Sequence, residues 1–342
     1  MEGGAVRRVL LVSLAALVAA GLASLVSLTL VPEAHSQATS EPYHQVVDNA
    51  TAGSFEAPGW RVASADANTF GENYAYTDAS DNVGPARYTV DIPKTDHYAV
   101  FARWPGGDDV TTTARFGVDT PSGVSWDEVN QRVDANSWVL IGIYEMKPGK
   151  RVIQVTRSPS DAGGRLVADA VMVVGGALVA PNGETATTAD PDQLAGGGTT
   201  GDGTLSTQSI ETAASRHSVL RVARKHLGTP YGHRRCKIHR QEDCSCFTKL
   251  VFKKFGYHLA DSPVKQYRMN KGKRIRHKSH LRRGDLVFND LNGGGMNNQF
   301  LDHVSIYYGN GWIIHASSYF HKVVISKLKY LRGFEGGRRL RV

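Results

Sequence analysis

Cysteine is scarce in this chain. Only Cys236, Cys244 and Cys246 occur among 342 residues, all within an eleven-residue stretch. That excludes a disulfide scaffold, and an odd count leaves at least one thiol unpaired within the chain. Carboxylates are scarce in one half only. From Ser215 onward 27 Lys and Arg face 7 Asp and Glu, a net of +20, whereas residues 1–214 hold 13 and 25, a net of −12. The two halves sum to +8. So basic a half favours anionic partners, either nucleic acid or an anionic envelope. Long apolar runs are absent after the N-terminus. The single such run, Val9 to Val31, follows Arg7 and Arg8. It exceeds the ~7–15 apolar residues of a cleavable signal and reaches the ~20 of a membrane span. Ala34 and Ser36 offer a small-x-small cleavage site, so residues 1–36 read as a signal peptide or a signal anchor. Either puts the rest of the chain outside the cytoplasm, secreted or membrane-anchored. Export argues for the cell wall and against nucleic acid.

What is present divides the chain in three. Residues 44–176 have a β texture. Arg87–Ile92, Tyr98–Ala102, Trp138–Tyr144 and Arg151–Thr156 are rich in β-branched and aromatic residues, and Gly, Pro and Asp separate them. Short strands with regular turn signals predict a β-sandwich. Trp60 and Trp138 are read as core residues before sugar platforms. Residues 177–212 are rich in Gly, Thr, Ala and Ser and predict a flexible linker. Residues 213–342 predict an α+β domain. A first helix is expected from Val219 to Leu227, and a second from Cys244 to Gly256. Strands are then expected at Asp285–Asn289, His303–Tyr308 and Trp312–Ala316.

A thiol attacks as thiolate, and a helix N-terminus favours that form. Asp243 is a fitting N-cap, which puts Cys244 on the first turn. The base is sought among histidines. His303 opens one apolar strand and His315 lies near the end of the next, with Gly309-Asn310-Gly311 between them. A three-residue loop at 308–310 sets the two histidines directly opposite. A loop at 309–311 sets them diagonally on one face, and a two-residue loop sends them to opposite faces. His277, His280 and His321 read as surface residues.

The sandwich segment resembles the golvesin C-terminal-like domain of secreted bacterial proteins, through Gly59-Trp60, Gly71 with Tyr74, Val129-Asn130-Gln131, Trp138 with Ile141-Gly142, and Val167 to Val171. That implies a jelly-roll-like accessory module, with a carbohydrate as possible ligand. Gly228-Thr229-Pro230-Tyr231, Asp243-Cys244-Ser245, Arg283 to Phe288, His303 to Tyr307 and Ile314-His315-Ala316 occur in order. Together they resemble the NlpC-type family of papain-like cell-wall cysteine peptidases. The resemblance implies Cys244 as nucleophile, His303 as base and His315 as orienting residue. It places Tyr231, Asp243 and Ser245 along the substrate site. It implies hydrolysis between D-glutamate and a diamino acid in peptidoglycan stem peptides, with no cofactor, and the basic charge adds anionic wall polymers as further partners. Two departures stand out. Gly232-His233-Arg234-Arg235-Cys236 replaces the usual Trp-Gly-Gly-like stretch, and Cys246 replaces a glycine. Arg234 and Arg235 are candidates for binding a stem-peptide carboxylate. A Cys236–Cys246 disulfide that leaves Cys244 free is one open arrangement. Zinc held by His233, Cys236, His239, Cys244 and Cys246 is a rival, although the spacing fits no common zinc motif. A wall-binding protein that no longer cuts, and an amidase or acyltransferase using the same Cys–His pair, are the functional alternatives.

Overall fold

The computed structural model describes residues 42–64, 69–161, 163–195, 218–232, 236, 240–293 and 301–342. The expected signal segment, 1–36, lies outside them, and so do Arg234 and Arg235. No helix among the described residues is long and apolar enough to cross a membrane.

The first part of the chain supplies β1 (His44–Asp48), β2 (Phe55–Glu56), β3 (Arg61–Ser64), β4 (Asn73–Thr77), β5 (Ala86–Ile92), β6 (Asp96–Arg103), β7 (Ala114–Thr120), β8 (Gly123–Val129), β9 (Val139–Met146), β10 (Gly149–Arg157), β11 (Leu166–Ala168) and β12 (Ala170–Val174). They make antiparallel sheets in the orders β1-β12-β6-β9 and β2-β5-β10-β7-β8, with β11-β4-β3 alongside. Val47, Val100, Ala102, Val139, Ile141, Val171 and Val173 fill the core with Tyr88, Val90, Phe116 and Ile153. This is the expected sandwich.

The other face of the β1-β12-β6-β9 sheet is covered too. Ala99, Phe101, Trp138, Leu140, Ala170 and Met172 share one core with Val219, Leu220, Phe247, Tyr308 and Trp312 of the C-terminal part. A strand buried on both faces needs apolar residues at every position, not at alternate ones. That is why β12 reads Ala-Val-Met-Val-Val without a polar break. Trp138 is core, as expected, and Trp60 is half-buried with its Nε1–H donating to the Gly84 carbonyl at 2.8 Å.

The C-terminal part contains β15 (Lys273–Ile275), β16 (Leu286–Asn289), β17 (His303–Gly309), β18 (Trp312–Ser317), β19 (Lys322–Lys327) and β20 (Phe334–Arg339). Helices at Cys244–Lys253 and Pro263–Arg268, and helical residues 218–224, pack with this sheet. The fold is multidomain, a β-sandwich followed by an α+β papain-like domain. The expected flexible linker over 177–212 is corrected in its first part. β13 (Leu178–Val179) and β14 (Thr185–Thr187) extend the C-terminal sheet to the order β13-β14-β19-β18-β17-β16-β20-β15. Ala186 and Thr187 pair with Ser326 and Ile325 and are buried. The segment has too few apolar residues for a core of its own, so it is ordered by backbone pairing to a sheet that others stabilise. A short helix at Pro191–Leu194 follows, and Asp190 and Asp192 before and within it bind the buried Arg224. Residues 196–212 of the expected linker lie outside the described residues.

Ion pairs also cross between the two parts. Arg283 Nε lies 2.7 Å from Asp134 Oδ1 and its Nη1 donates to Ser137 Oγ at 2.9 Å. Gly309, at φ +108°, makes room for this pair, since a Cβ there would sit 2.7 Å from Asp134 Oδ2.

Candidate active site

The site is built where the Cys244 helix meets β17. Asp243 is in extended conformation, and its carboxylate accepts from the Cys246 N–H at 2.8 Å and from Ser245 Oγ at 2.9 Å. It is the N-cap expected from the sequence. Cys244 therefore starts the helix, with its sulfur in the field of unpaired N–H groups. The thiol donates weakly to the Asp302 carbonyl at 3.8 Å. The N–H groups of Val304, Ser245 and Cys244 also face the sulfur. Asp302 and Val304 flank His303, so the backbone carrying His303 runs past the Cys244 sulfur.

Burial pushes the Cys244 thiol up to about 12, helped by the Asp243 carboxylate and opposed by the Val304, Ser245 and Cys244 N–H groups. Burial also pulls His303 down to about 4. Both are neutral at pH 7.

His303 Nε2 and His315 Nδ1 share a hydrogen bond of 2.9 Å, and His315 Nε2 and Ser326 Oγ share one of 3.0 Å. His315 is 1% exposed and is held well below its usual range by burial and by His303. The register that brings them together is the diagonal one. Ile306 faces Ile314, so His303 stands across from Ser317 and His315 across from Ser305. The tip has two residues, Asn310 and Gly311, both at positive φ as a type I′ turn requires. Two residues alone would send the histidines to opposite faces. A bulge at Tyr308, between the Tyr307–Ile313 and Gly309–Trp312 pairs, adds one residue and restores the shared face.

The other expected residues divide. Tyr231 is half-buried. Burial, then the neighbouring Cys244 and Asp243, raise its hydroxyl to about 12. Ser245 is buried, with its hydroxyl turned onto Asp243. Arg234 and Arg235 are not described. Cys236 and Cys246 are joined by a disulfide with Cα atoms 5.4 Å apart, and Cys244 is the free cysteine. Neither half-cystine is then available as a thiolate ligand for the zinc arrangement. His277, His280 and His321 are exposed.

Three supports were not read from the sequence. Glu242 is fully buried, and His226 Nδ1 meets its two carboxylate oxygens at 2.8 and 2.9 Å. Its N–H donates to the Pro230 carbonyl and its own carbonyl accepts from Gly232, which ties the Tyr231 segment to the residue before Asp243. Gln266 accepts from Thr248 Oγ1 and donates to the Ser245 carbonyl, bracing the first turn of the Cys244 helix. Ser326 holds His315. Only Glu242 had a signal, its adjacency to Asp243.

Residues 45–175 match the family model of the Golvesin C-terminal domain, and residues 228–332 match that of the NlpC/P60 family. Both resemblances read from the motifs are borne out. Among curated proteins, a 133-residue stretch is 30% identical to the xanthan lyase of Bacillus sp. strain GL1, covering 38% of this chain and 14% of that one. A 102-residue stretch is 38% identical to the probable endopeptidase p60 of Listeria innocua, covering 29% and 19%. A solved NlpC/p60 domain of the peptidoglycan hydrolase SagA is 26% identical, with a TM-score of 0.31 over 36% of this chain and 98% of that one. The chain spans less than a fifth of the length of these curated relatives.

Proposed function

We propose that the chain is an exported cysteine peptidase that hydrolyses stem peptides of peptidoglycan, at the bond between D-glutamate and the diamino acid. The observation that carries this reading is Cys244 at a capped helix start, its thiol on the carbonyl of Asp302 next to His303, and His303 hydrogen-bonded to His315. The NlpC/P60 family match and the p60 similarity support the substrate class.

Because thiol and imidazole are both neutral, the proton moves as the bond forms. His303 Nε2–H donates to His315 Nδ1, which leaves His303 Nδ1 to accept the thiol proton. The sulfur attacks the D-glutamyl carbonyl, and the Cys244 N–H receives the developing oxyanion. The imidazolium then protonates the departing amine, the C–N bond breaks, and a thioester stays on Cys244. Water attacks the thioester with His303 again as base. The C–S bond breaks, and a carboxylate and the thiol are released. His315, fixed by Ser326, holds the tautomer and orientation of His303 and offsets its charge. Tyr231 and Asp243 line the approach to the sulfur.

In this reading the sandwich has no catalytic role. It presents a carbohydrate-binding surface fixed to the peptidase by a common core, and the basic half contacts anionic wall polymers. The test is fragment release from purified peptidoglycan. Peptide fragments should appear with the wild-type chain and be absent with Cys244→Ala. Wall binding without fragments from either protein would replace the peptidase with a binding module.

A further inference from the structure

Between Asp261 and Asp285 the chain carries nine Lys and Arg and no carboxylate. This stretch forms β15, the edge strand of the C-terminal sheet, and its flanks. The register sets Lys273 across from Arg339 and Arg274 across from Arg338. Like charges directly opposed on a sheet are destabilising. Some of them are compensated. Arg339 forms a two-point pair with Asp285 at 2.8 and 2.7 Å. Arg338 donates twice to the Tyr267 carbonyl. Arg274 lies over the Tyr267 ring and donates to its hydroxyl at 2.8 Å.

Lys271, Lys273, Arg276, Lys278 and Arg282 are exposed, and none has an ion pair among the described residues. Lysine on an edge strand also blocks edge-to-edge pairing. One or two such residues suffice for that, and the strand has only three positions, whereas the cations run on through residue 282. Lys271 precedes the strand, separated from Lys273 by Gly272 at φ +77°, so the cations continue around the turn that leads into the edge.

We infer that the β15 edge is a binding surface for a phosphodiester polyanion of the cell wall, of the poly(glycerol phosphate) type. The choice of polymer rests on the peptidoglycan reading; the polyanion chemistry rests on the edge itself. Three strand spacings, about 14 Å, separate β15 from β17. A polymer held on this edge lies away from the strand that carries His303.

The test uses the full chain and poly(glycerol phosphate), with affinity measured across a salt series. The K271A/K273A/R276A/K278A variant should lose at least about tenfold in affinity at low salt, and its slope of log K against log salt should fall by about 3. Melting checks that the variant folds, and cleavage of a soluble stem peptide should be unchanged. The K253A/K254A variant, altered at exposed cations elsewhere, should bind as the wild type does. Equal affinity and slope for the edge variant and the wild type would overturn the site. Duplex DNA bound as tightly as poly(glycerol phosphate) would overturn the assigned occupant. Binding is read without hydrolysis, so failure of this inference and failure of the peptidase reading are separate results.

Discussion

Replacing Cys236 and Cys246 together by serine should destabilise the chain without removing the nucleophile. The disulfide closes the loop between residues ten apart in sequence, and Glu242, Asp243 and Cys244 all lie inside it. Opening a loop of this length releases chain entropy in the unfolded state worth about 3 kcal/mol at 25 °C. The two parts of the chain share a core, so Pro42–Val342 should unfold as one cooperative unit. At ordinary unfolding entropy per residue, the loss then lowers Tm by about 5 °C; for the C-terminal part unfolding alone it would be about 11 °C. Scanning calorimetry of the wild type and C236S/C246S distinguishes these. One transition moved by about 5 °C supports both the covalent loop and the common core. Two transitions, with only one of them moved, would refute the common core. An unchanged Tm would refute the stabilising role of the bridge. The same loop holds the N-cap of the nucleophile, so strong reductant should lower activity although Cys244 needs no oxidation to work.

Other consequences concern the site. His315→Ala should lower kcat by about 10²–10⁴ with little change in KM, because it acts on the orientation of His303 and not on ground-state binding. Ser326→Ala should have a smaller effect of the same kind, read by steady-state kinetics. Glu242→Ala leaves His226 buried without its carboxylate and should cost about 3–5 kcal/mol in chemical denaturation. Asp243→Ala removes the helix cap and should cost about 1 kcal/mol. His303 is held near 4 against an ordinary 6.5. The free-enzyme acid limb of kcat/KM should therefore fall near pH 4 and not in the usual histidine range. Between those two values the unfolded chain binds more protons than the folded one. Stability should thus fall as pH drops through that window, by about 3 kcal/mol, and His303→Gln should flatten the dependence.

Most strands and the elements that carry Cys244, His303 and His315 were legible because their signals are local. Ala86–Ile92 and Gly149–Arg157 alternate with turn-formers at their ends, and Asp243 before Cys244 is a cap whatever surrounds it. The hairpin carrying His303 and His315 was legible only in part. The Asn-Gly tip announces a turn, but the parity that decides which face a histidine takes depends on a bulge at Tyr308. The tip residues do not announce that bulge. The ordering of β13 and β14 could not be read from their composition, because the partner that orders them is the edge of β19, well over a hundred residues away. The second covered face of the sandwich did have a signal. β12 is apolar at every position, which one buried face does not require. The His226–Glu242 pair joins residues sixteen apart through a buried contact that no spacing rule announces.

The central claim is hydrolysis through a thioester on Cys244. It is tested most directly on a soluble stem peptide incubated in water labelled with heavy oxygen, with the products read by mass spectrometry. One labelled oxygen in the new D-glutamyl carboxyl group, with no cleavage by Cys244→Ala, is the predicted result. Cleavage that persists in Cys244→Ala, or an acyl product carrying an amine in place of labelled oxygen, would contradict it.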